Sequence, residues 1–280
     1  MWTHAAWTTH RAPARERLAA YAGSVNAVEG NTSFYATPSA GTVQAWAGQV
    51  PPDFRFIMKL PKAVTHEQRL APTGDTAMRA FLDAMEPLGD RAHMLWVQLP
   101  AAFGPGGVDA LTRFLRRLPS GHRYCAEVRH PAFFTDPQAE RDLERALDTA
   151  GAEWATFDTT VLFESPPASE AEREGQAKKP RVPRRTRALT SHPVVRYIGR
   201  DDPARTAEGW QPWADQAAAW LREGRSPTFF IHTPDNARAL DLARTFHADL
   251  RARVPGIDPL PDPVPTGPPT LFLGATSHGT

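Results

Sequence analysis

The sequence predicts an α/β protein built as a TIM-type (β/α)8 barrel that lacks most of its first strand. Strand and helix patterns alternate along the chain, and an alternation of this kind builds a parallel sheet. A length of 280 residues suits one such barrel. No glycine-rich phosphate-binding turn follows an early strand, which disfavours an open dinucleotide-binding sheet.

The alternation is most regular in the N-terminal half. Leu18 and Tyr21 lie on one face of a predicted helix over residues 13–22, and a short strand over 25–29 follows it. Ser39 is a favoured helix N-cap and precedes apolar residues at helical spacing through residue 50. The other elements predicted here are a strand at 54–60, a helix at 75–88, a strand at 93–99 and a helix at 108–118.

The C-terminal half continues the pattern but includes two segments that we expect to be irregular. Residues 158–193 join two strands by about 35 residues, far more than a usual connection. Residues 255–269 hold seven prolines in fifteen positions, which neither a helix nor a central strand accepts. The regular elements predicted are strands at 124–128, 154–157, 194–198 and 228–231, and helices opening at Pro137, at Pro212 and after Asn236.

These patterns give seven strands, whereas a (β/α)8 barrel needs eight. Because the helix at 13–22 precedes the first of them, the missing strand belongs before residue 10, where the chain has almost no room. We expect one barrel domain over residues 1–254, with a long basic loop at 158–193, and a Pro-rich tail over 255–280. We also expect an open seam between residues 25–28 and 228–231.

Composition and charge exclude several classes of protein. Lys and Arg number 32 against 31 acidic residues, so the chain lacks the strongly basic balance of a nucleic-acid-binding protein. Cys125 is the only cysteine, which excludes an internal disulfide framework and a cysteine-cluster metal site. No apolar run approaches the roughly 20 residues of a spanning helix, and the first residues lack a secretory pattern. We expect a cytoplasmic protein with no membrane partner, and its oligomeric state stays open.

Polar residues close the predicted strands, and in a parallel barrel the functional site lies at the carboxyl ends of the strands. Strand alternation assigns the last inward-facing residue of each one. These residues are Glu29, Lys59, Gln98, Glu127 with Arg129, Asp158, Arg196 and His232. We expect Glu29, Lys59, Glu127 and His232 to be catalytic and the others to bind the ligand.

Several of these residues also have structural explanations. Glu127 and Arg129 could simply pair on one strand face. Lys59 could be a solvated rim residue, or a buried Schiff-base nucleophile with a lowered pKa. His232 could be a core histidine with satisfied hydrogen bonds, and Asp158 could merely cap the long loop.

The mixture of charges favours an anionic ligand over a metal ion. The acceptable metal ligands in the set are Glu29, Glu127, Asp158 and His232. Lys59, Arg129 and Arg196 would place positive charge at the same mouth and oppose a cation. Because Arg binds carboxylate and phosphate as a two-pronged donor, we expect a small anionic or phosphorylated ligand and metal-free acid/base chemistry. No cofactor is predicted.

Six cations lie within ten residues of the long loop. They are Lys178, Lys179, Arg181, Arg184, Arg185 and Arg187. This run is either a solvated loop or a lid over the barrel mouth that clamps a phosphate or contacts a nucleic-acid backbone. Two further functions therefore stay open: a metal-dependent phosphodiesterase or nuclease, which is not favoured, and a non-catalytic ligand-binding or scaffold protein.

Five segments together resemble the signature of the YecE-like family, the bacterial domain of unknown function 72. They are residues 26–35, 54–61, 98–100, 127–131 and 232–236, in family order. The resemblance implies a TIM-type barrel whose biochemical activity is not established. It also brings Asn31, His130, Asp235 and Asn236 into the ligand site beside the strand-end residues.

The chain departs from this family pattern at its beginning. Family members open with a strand and then a Trp-Ser-His-like turn, and residues 2–7 resemble that turn without its strand. The departure agrees with the count of seven strands. We expect either a start assigned too late or a truncated chain, and in both cases an altered barrel seam.

Overall fold

Strands and helices alternate in the computed structural model, which describes residues 17–261. The strands are β1 (Ala27–Gly30), β2 (Arg55–Lys59), β3 (Met94–Gln98), β4 (Tyr124–Glu127), β5 (Glu153–Trp154), β6 (Thr156–Asp158), β7 (Val194–Ile198) and β8 (Thr228–His232). The helices are α1 (Arg17–Ala22), α2 (Thr32–Tyr35), α3 (Ala40–Ala47), α4 (Asp75–Met85), α5 (Val108–Arg117), α6 (Ala132–Thr135), α7 (Pro137–Thr149), α8 (Glu170–Lys178), α9 (Pro203–Gly209), α10 (Gln211–Arg222) and α11 (Ala239–Arg253). The predictions that concern residues 1–16 and 262–280 lie outside this description.

Within residues 17–261 the strands form two parallel sheets, whereas we expected one barrel sheet with a single open seam. One sheet has the order β1-β2-β3-β4-β5 and the other the order β6-β7-β8. The predicted strand at 154–157 is divided at Ala155, whose N–H donates to the Ala126 carbonyl at 2.9 Å. Its first part pairs with β4 and its second part with β7, so the α/β class is confirmed and a closed barrel is not.

A buried apolar cluster draws side chains from both sheets. It consists of Ile57, Met94, Trp96, Cys125, Ala155, Val194 and Phe230, with Ala27 packed against it. The rings of Trp96 and Phe230 stack with their centroids 6.0 Å apart. Because side chains alternate along a strand, the residues two positions further on share this inner face. They are Glu29, Lys59, Gln98, Glu127, Phe157, Arg196 and His232.

Helices cover the outer faces of the sheets through the apolar stripes that the sequence predicted. In α5, Val108, Leu111 and Leu115 are buried against the first sheet, together with Phe114. Over the second sheet, α10 and α11 contribute a largely aromatic cluster that includes Trp213, Trp220 and Phe246. No helix within residues 17–261 is both long enough and apolar enough to cross a membrane.

The long connection at 158–193 contains a nine-residue helix, α8, which corrects the expectation of an irregular segment. The Ser169 hydroxyl accepts the Glu172 N–H at 3.0 Å, and the Glu172 carboxylate accepts the Ala168 N–H at 2.8 Å. This reciprocal cap is a helix-start signal that Ser169 and Glu172 carry in the sequence. Buried Glu172 also receives the Arg200 guanidinium at 2.5 Å, which holds α8 against the end of β7.

A cavity of about 500 Å³ separates β1 from β8. Its walls include Val25, Val28, Phe229, Ile231, Leu240 and Phe246. At its mouth end lie Glu29 and His232, and at its other end Arg55 reaches from β2 to the Ser226 hydroxyl at 2.6 Å. The predicted seam also depends on the residues before 17, which lie outside the described part of the chain, so it stays a prediction.

Candidate functional site

Glu29, at the end of β1, is the centre of a buried cluster of charged side chains. Its Oε1 lies 2.7 Å from Lys59 Nζ, and its Oε2 lies 3.2 Å from Arg196 Nε and 3.0 Å from His232 Nε2. Glu29 and Lys59 are only 8% and 4% exposed. The ends of four strands, β1, β2, β7 and β8, therefore meet at one carboxylate.

Local packing fixes the two strand ends that carry Glu29 and Lys59. The buried Ser33 hydroxyl, on α2, lies 2.7 Å from the Lys59 carbonyl and 3.1 Å from the Gly30 carbonyl. A Cβ at Gly30 would lie 2.2 Å from the Met58 sulfur, so glycine leaves room for the Met58 side chain beside β1. The turn after β1 therefore holds the two strand ends at a set distance.

The buried environment shifts the proton affinities of Glu29 and Lys59. Burial alone would raise the pKa of Glu29, but the charges of Arg196, Lys59 and His232 hold it well below its usual range. Burial lowers the pKa of Lys59, with the Glu29 carboxylate opposing that shift and Arg196 adding to it. Glu29 is thus a carboxylate at neutral pH, and Lys59 has the burial that a nucleophilic or proton-donating lysine needs.

His232 lies between an amide and the central carboxylate. Its Nδ1 is 3.0 Å from Asn236 Oδ1, and its Nε2 faces both Glu29 Oε2 and the Arg196 Nε–H, the latter at 3.3 Å. With a proton on Nδ1 alone, Nε2 accepts from Arg196. With both nitrogens protonated, Nε2 donates to Glu29. This imidazole therefore has hydrogen-bond partners in either protonation state.

A second carboxylate, Glu127 at the end of β4, is fully buried. Its Oε1 accepts from Arg129 Nε at 2.6 Å, so the pairing that the sequence allowed is formed. Its Oε2 is buried without a hydrogen-bond partner among the described residues. The guanidinium of Arg129 lies 5.0 Å from the Phe157 ring centre and that of Arg196 lies 5.6 Å from it, so one aromatic ring separates and supports two cations.

The structure does not bring Asp158 into this cluster. Its carboxylate accepts the Thr160 N–H at 2.8 Å and the Arg184 Nε–H at 3.1 Å, and it also receives the indole N–H of Trp213. These contacts match the loop-capping alternative. Phe157 takes the inner position of this strand. The sequence prediction missed Phe157 because it chose the polar residue beside it. Strand alternation places Ala155 and Phe157 on the same inner face.

The remaining predicted residues surround the cluster without joining its ion pairs. Gln98 is in register with Glu127. Asn31 is exposed and lines the cavity between β1 and β8. His130 Nδ1 accepts the Ala132 N–H at 3.2 Å, and Asp235 accepts the Ala237 N–H at 2.9 Å, so both shape turns. Asn236 supports His232 from a left-handed backbone position with φ of 58°, which asparagine tolerates better than most residues.

Most cations of the basic run are held by carboxylates of the chain itself. The pairs are Lys178 with Glu174, Arg184 with Asp158, and Arg185 and Arg187 with Glu144. Lys179 is in a different environment. Burial and the charges of Arg196 and Arg129 lower the pKa of its ammonium group. His66 is another neighbour that the sequence did not single out, with a pKa lowered by burial and by Lys62 and Arg129.

The charges around the site favour an anion over a metal ion. Within residues 17–261, no three His, Cys, Asp or Glu side chains are grouped as a metal ion would require. Three cations, Lys59, Arg129 and Arg196, lie beside the carboxylates of Glu29 and Glu127, and the charge of Lys179 acts on Arg129 and Arg196. Such a group is suited to hold an anion between guanidiniums and to exchange protons with it.

This geometry defines an α/β protein of parallel sheets with a charged site at the carboxyl ends of its strands. The sequence profile of the family described as "Protein of unknown function DUF72" matches residues 1–267, and the chain belongs to this family. It is similar to the UPF0759 protein YecE of Escherichia coli O157:H7 and of Escherichia coli strain K12. Each is 38% identical over 260 residues, covering 93% of this chain and 94% of the relative.

The fold is similar to two crystal structures of a DUF72 family protein (ef0366) from Enterococcus faecalis V583. Their TM-scores are 0.63 and 0.61, each at 18% sequence identity. Each match covers 84% of this chain, and the two cover 88% and 92% of the solved chains. The family resemblance found in the sequence is thus confirmed, and the solved structures support the fold.

Proposed function

We propose that this protein binds a small anionic, phosphorylated ligand at the carboxyl ends of its strands and carries out metal-free acid/base chemistry on it. The observation that carries the proposal is the pair of guanidiniums on Phe157. Among the described residues, Arg129 and Arg196 make their hydrogen bonds through Nε, which leaves the terminal nitrogens to bind oxyanions. Charge-assisted bonds of this kind contribute about 1.5–3 kcal/mol each.

The unpartnered oxygen of Glu127 indicates a second property of the ligand. A buried acceptor without a donor destabilises the site by about 1–3 kcal/mol. A ligand hydroxyl or N–H group would satisfy it. A phosphorylated sugar or a sugar acid carries both an anionic group for the guanidiniums and a hydroxyl for Glu127.

The acid/base roles follow from these positions. Glu127 accepts the proton of the bound hydroxyl, and His232 and Lys59 supply or receive protons on the other side. Glu29 orients both of them and stays ionised.

We also propose that the two sheets are parts of one (β/α)8-type barrel with an open seam between β1 and β8. The apolar cluster that both sheets share supports this proposal.

A ligand screen tests the proposed function. Thermal unfolding is measured with phosphorylated sugars, sugar acids, and Mg²⁺, Mn²⁺ or Zn²⁺ alone. A ligand at 100 times its dissociation constant adds about 2.7 kcal/mol, which shifts the midpoint clearly. Stabilisation by an anion without metal supports the proposal. Hydrolysis of nucleic acid only in the presence of a divalent metal would instead favour the phosphodiesterase or nuclease function, and binding without turnover would favour a sensor or scaffold.

Arg129→Ala and Arg196→Ala should each weaken binding of the anion found in the screen by about 10- to 150-fold, which corresponds to the loss of one charge-assisted contact. Isothermal titration measures the change. The matched control is Arg145→Ala, because Arg145 is exposed and pairs with Asp142. If both site variants lose stability but keep their affinity, the two guanidiniums are structural partners and the proposed function is wrong.

His232→Asn and Glu127→Gln should lower turnover of that ligand about 10²- to 10⁴-fold, the usual effect of removing a general acid or base. Affinity measured by titration should change far less than turnover. Equal losses in both quantities would show that these residues only bind the ligand.

A further inference from the structure

A second group of basic side chains lies at the opposite, amino-terminal ends of the strands. Arg55 is the first residue of β2, while His93 and Arg123 directly precede β3 and β4. His192 lies two residues before β7. The rings of His93 and His192 meet edge to face with centroids 5.2 Å apart, and Arg123 Nη1 lies 3.5 Å from the His93 carbonyl.

Two ring nitrogens in this group are buried without a partner. They are His93 Nε2 and His192 Nδ1, and His93 is only 8% exposed. Buried polar atoms of this kind normally have a hydrogen-bond partner. The two unsatisfied nitrogens therefore point to a bound group that bridges them.

The charges of the group also lack compensation. Among residues 17–261, the Arg55 guanidinium bonds to two hydroxyls, those of Ser226 at 2.6 Å and Thr228 at 3.2 Å. Neither Arg55 nor Arg123 has a carboxylate within salt-bridge distance among residues 17–261. The carboxyl group of Asp53 acts on Arg55 only from a greater distance, and the oxygens of Glu153 are taken by backbone N–H groups and the Thr190 hydroxyl.

Burial, assisted by the neighbouring cations, keeps both imidazoles neutral in the absence of a ligand. Burial and the charges of Arg55, His192 and Arg123 lower the pKa of His93 to about 3. Burial, Arg123 and Arg55 lower the pKa of His192 as well. An oxyanion would reverse this effect, because a negative charge stabilises the protonated ring.

We propose that Arg55, His93, Arg123 and His192 form a second anion site, selective for a small tetrahedral oxyanion such as inorganic phosphate, at the end of the fold opposite the acid/base cluster. The two guanidiniums supply the charge, and the ring nitrogens supply directional hydrogen bonds. Arg55 lines the cavity between β1 and β8, so this member of the group borders an open volume. The site is independent of the function proposed above, because it shares no residue with it.

Ring resonances of the histidines locate the bound anion. The intact protein is titrated with inorganic phosphate, with sulfate as a second probe and chloride as the ionic-strength control, while the ring nitrogen shifts of His93, His192 and His232 are followed by NMR. We expect His93 and His192 to shift together and saturably, with raised pKa values. Shifts confined to His232, or a response no larger than that to chloride, would overturn the proposal, since a bridging water would then satisfy the two nitrogens.

Variants separate the two ends of the molecule. Arg123→Gln should weaken the phosphate response of His93 at least tenfold and leave that of His232 unchanged, and Arg196→Ala should do the reverse. Arg145→Gln is the surface control and should change neither response. If Arg123→Gln unfolds, Arg123→Lys keeps the charge and should retain a weakened response. An effect of Arg196→Ala on His93 equal to that of Arg123→Gln would contradict a separate site.

Discussion

Glu29 receives one lysine, one arginine and one histidine on only two carboxylate oxygens. The carboxylate offsets the repulsion between the buried Lys59 and the partly buried Arg196 on neighbouring sides of the cluster. Its charge therefore stabilises the fold, and it also sets the positions from which Lys59 and His232 exchange protons. The positions and the protonation states of Lys59 and His232 therefore both depend on Glu29.

Glu29→Gln should destabilise the protein by about 3–5 kcal/mol, the usual effect of removing one partner from a buried ion pair. The physical reason is that the buried Lys59 and the partly buried Arg196 lose the carboxylate that pairs with both. Urea unfolding at neutral pH measures the change. Glu174→Gln, at an exposed pair with Lys178, is the matched control and should leave the midpoint unchanged. Equal stability of Glu29→Gln and wild type would contradict the central role of this carboxylate.

Glu29 should also make stability depend on acidic pH. Its pKa in the folded state lies well below the ordinary value of 4.5, so the unfolded chain binds its proton first as pH falls. The stabilisation is fully present above about pH 4.5 and is lost as the pH falls through the folded-state pKa. Urea unfolding between pH 7 and pH 3 should show a weaker dependence for Glu29→Gln than for wild type. Parallel curves for the two proteins would exclude this linkage.

The elements that escaped prediction are short or rich in charge. Helices α2 and α6 have four residues each, too few to show a helical repeat. Helix α8 has nine residues but only two buried ones, Glu172 and Gly175, so no apolar stripe marks it. The contact that holds α8 is the buried pair of Glu172 with Arg200, which lies 28 residues further along the chain.

Arg200→Ala should release α8 from the end of β7, because Glu172 then lacks its charged donor. Loss of a charge-assisted bond of about 1.5–3 kcal/mol should raise amide hydrogen exchange over residues 170–178 by roughly 10- to 150-fold. Exchange in β3 and β4 serves as the internal reference, and Arg145→Ala is the control variant. Unchanged protection of α8 would mean that its cap and backbone contacts alone are sufficient.

For the whole molecule, the apolar cluster beneath the charged site unites the two sheets. Trp96 from the first sheet stacks on Phe230 from the second, and the chain passes between the sheets at Ala155. The gap between β1 and β8 leaves strand edges of the described chain facing a cavity, and such edges are sites where further pairing occurs. Among the described residues, these interior contacts therefore hold the two sheets together.

Phe230→Ala should destabilise the protein by about 3–5 kcal/mol, the usual effect for a buried aromatic ring. Because the cluster is shared, unfolding should remain a single transition by both tryptophan fluorescence and circular dichroism. Tyr35→Ala is the control, since Tyr35 is 80% exposed, and should change stability by less than about 0.5 kcal/mol. Two separated transitions in the wild type would show that the sheets unfold independently.

The sequence by itself determined the α/β class, the family and the strand positions. It did so because strand alternation and helical spacing are local patterns. The same two-residue alternation, followed from the inward-facing positions 27, 57, 194 and 230, leads to Glu29, Lys59, Arg196 and His232, which the structure brings together. Position 157 obeys the same rule, and choosing the polar residue beside it led to Asp158 instead.

Only the tertiary structure decided the division of the sheet at Ala155, the docking of α8 and the use of the basic run in internal ion pairs. It also decided that Glu29 is the centre of the cluster and that one oxygen of Glu127 has no partner among the described residues. These outcomes depend on contacts between residues far apart in the chain, such as Glu29 with His232 across 203 positions. Local periodicity assigns each side chain to a face, but the energy of a buried charge depends on the neighbours that folding brings to it.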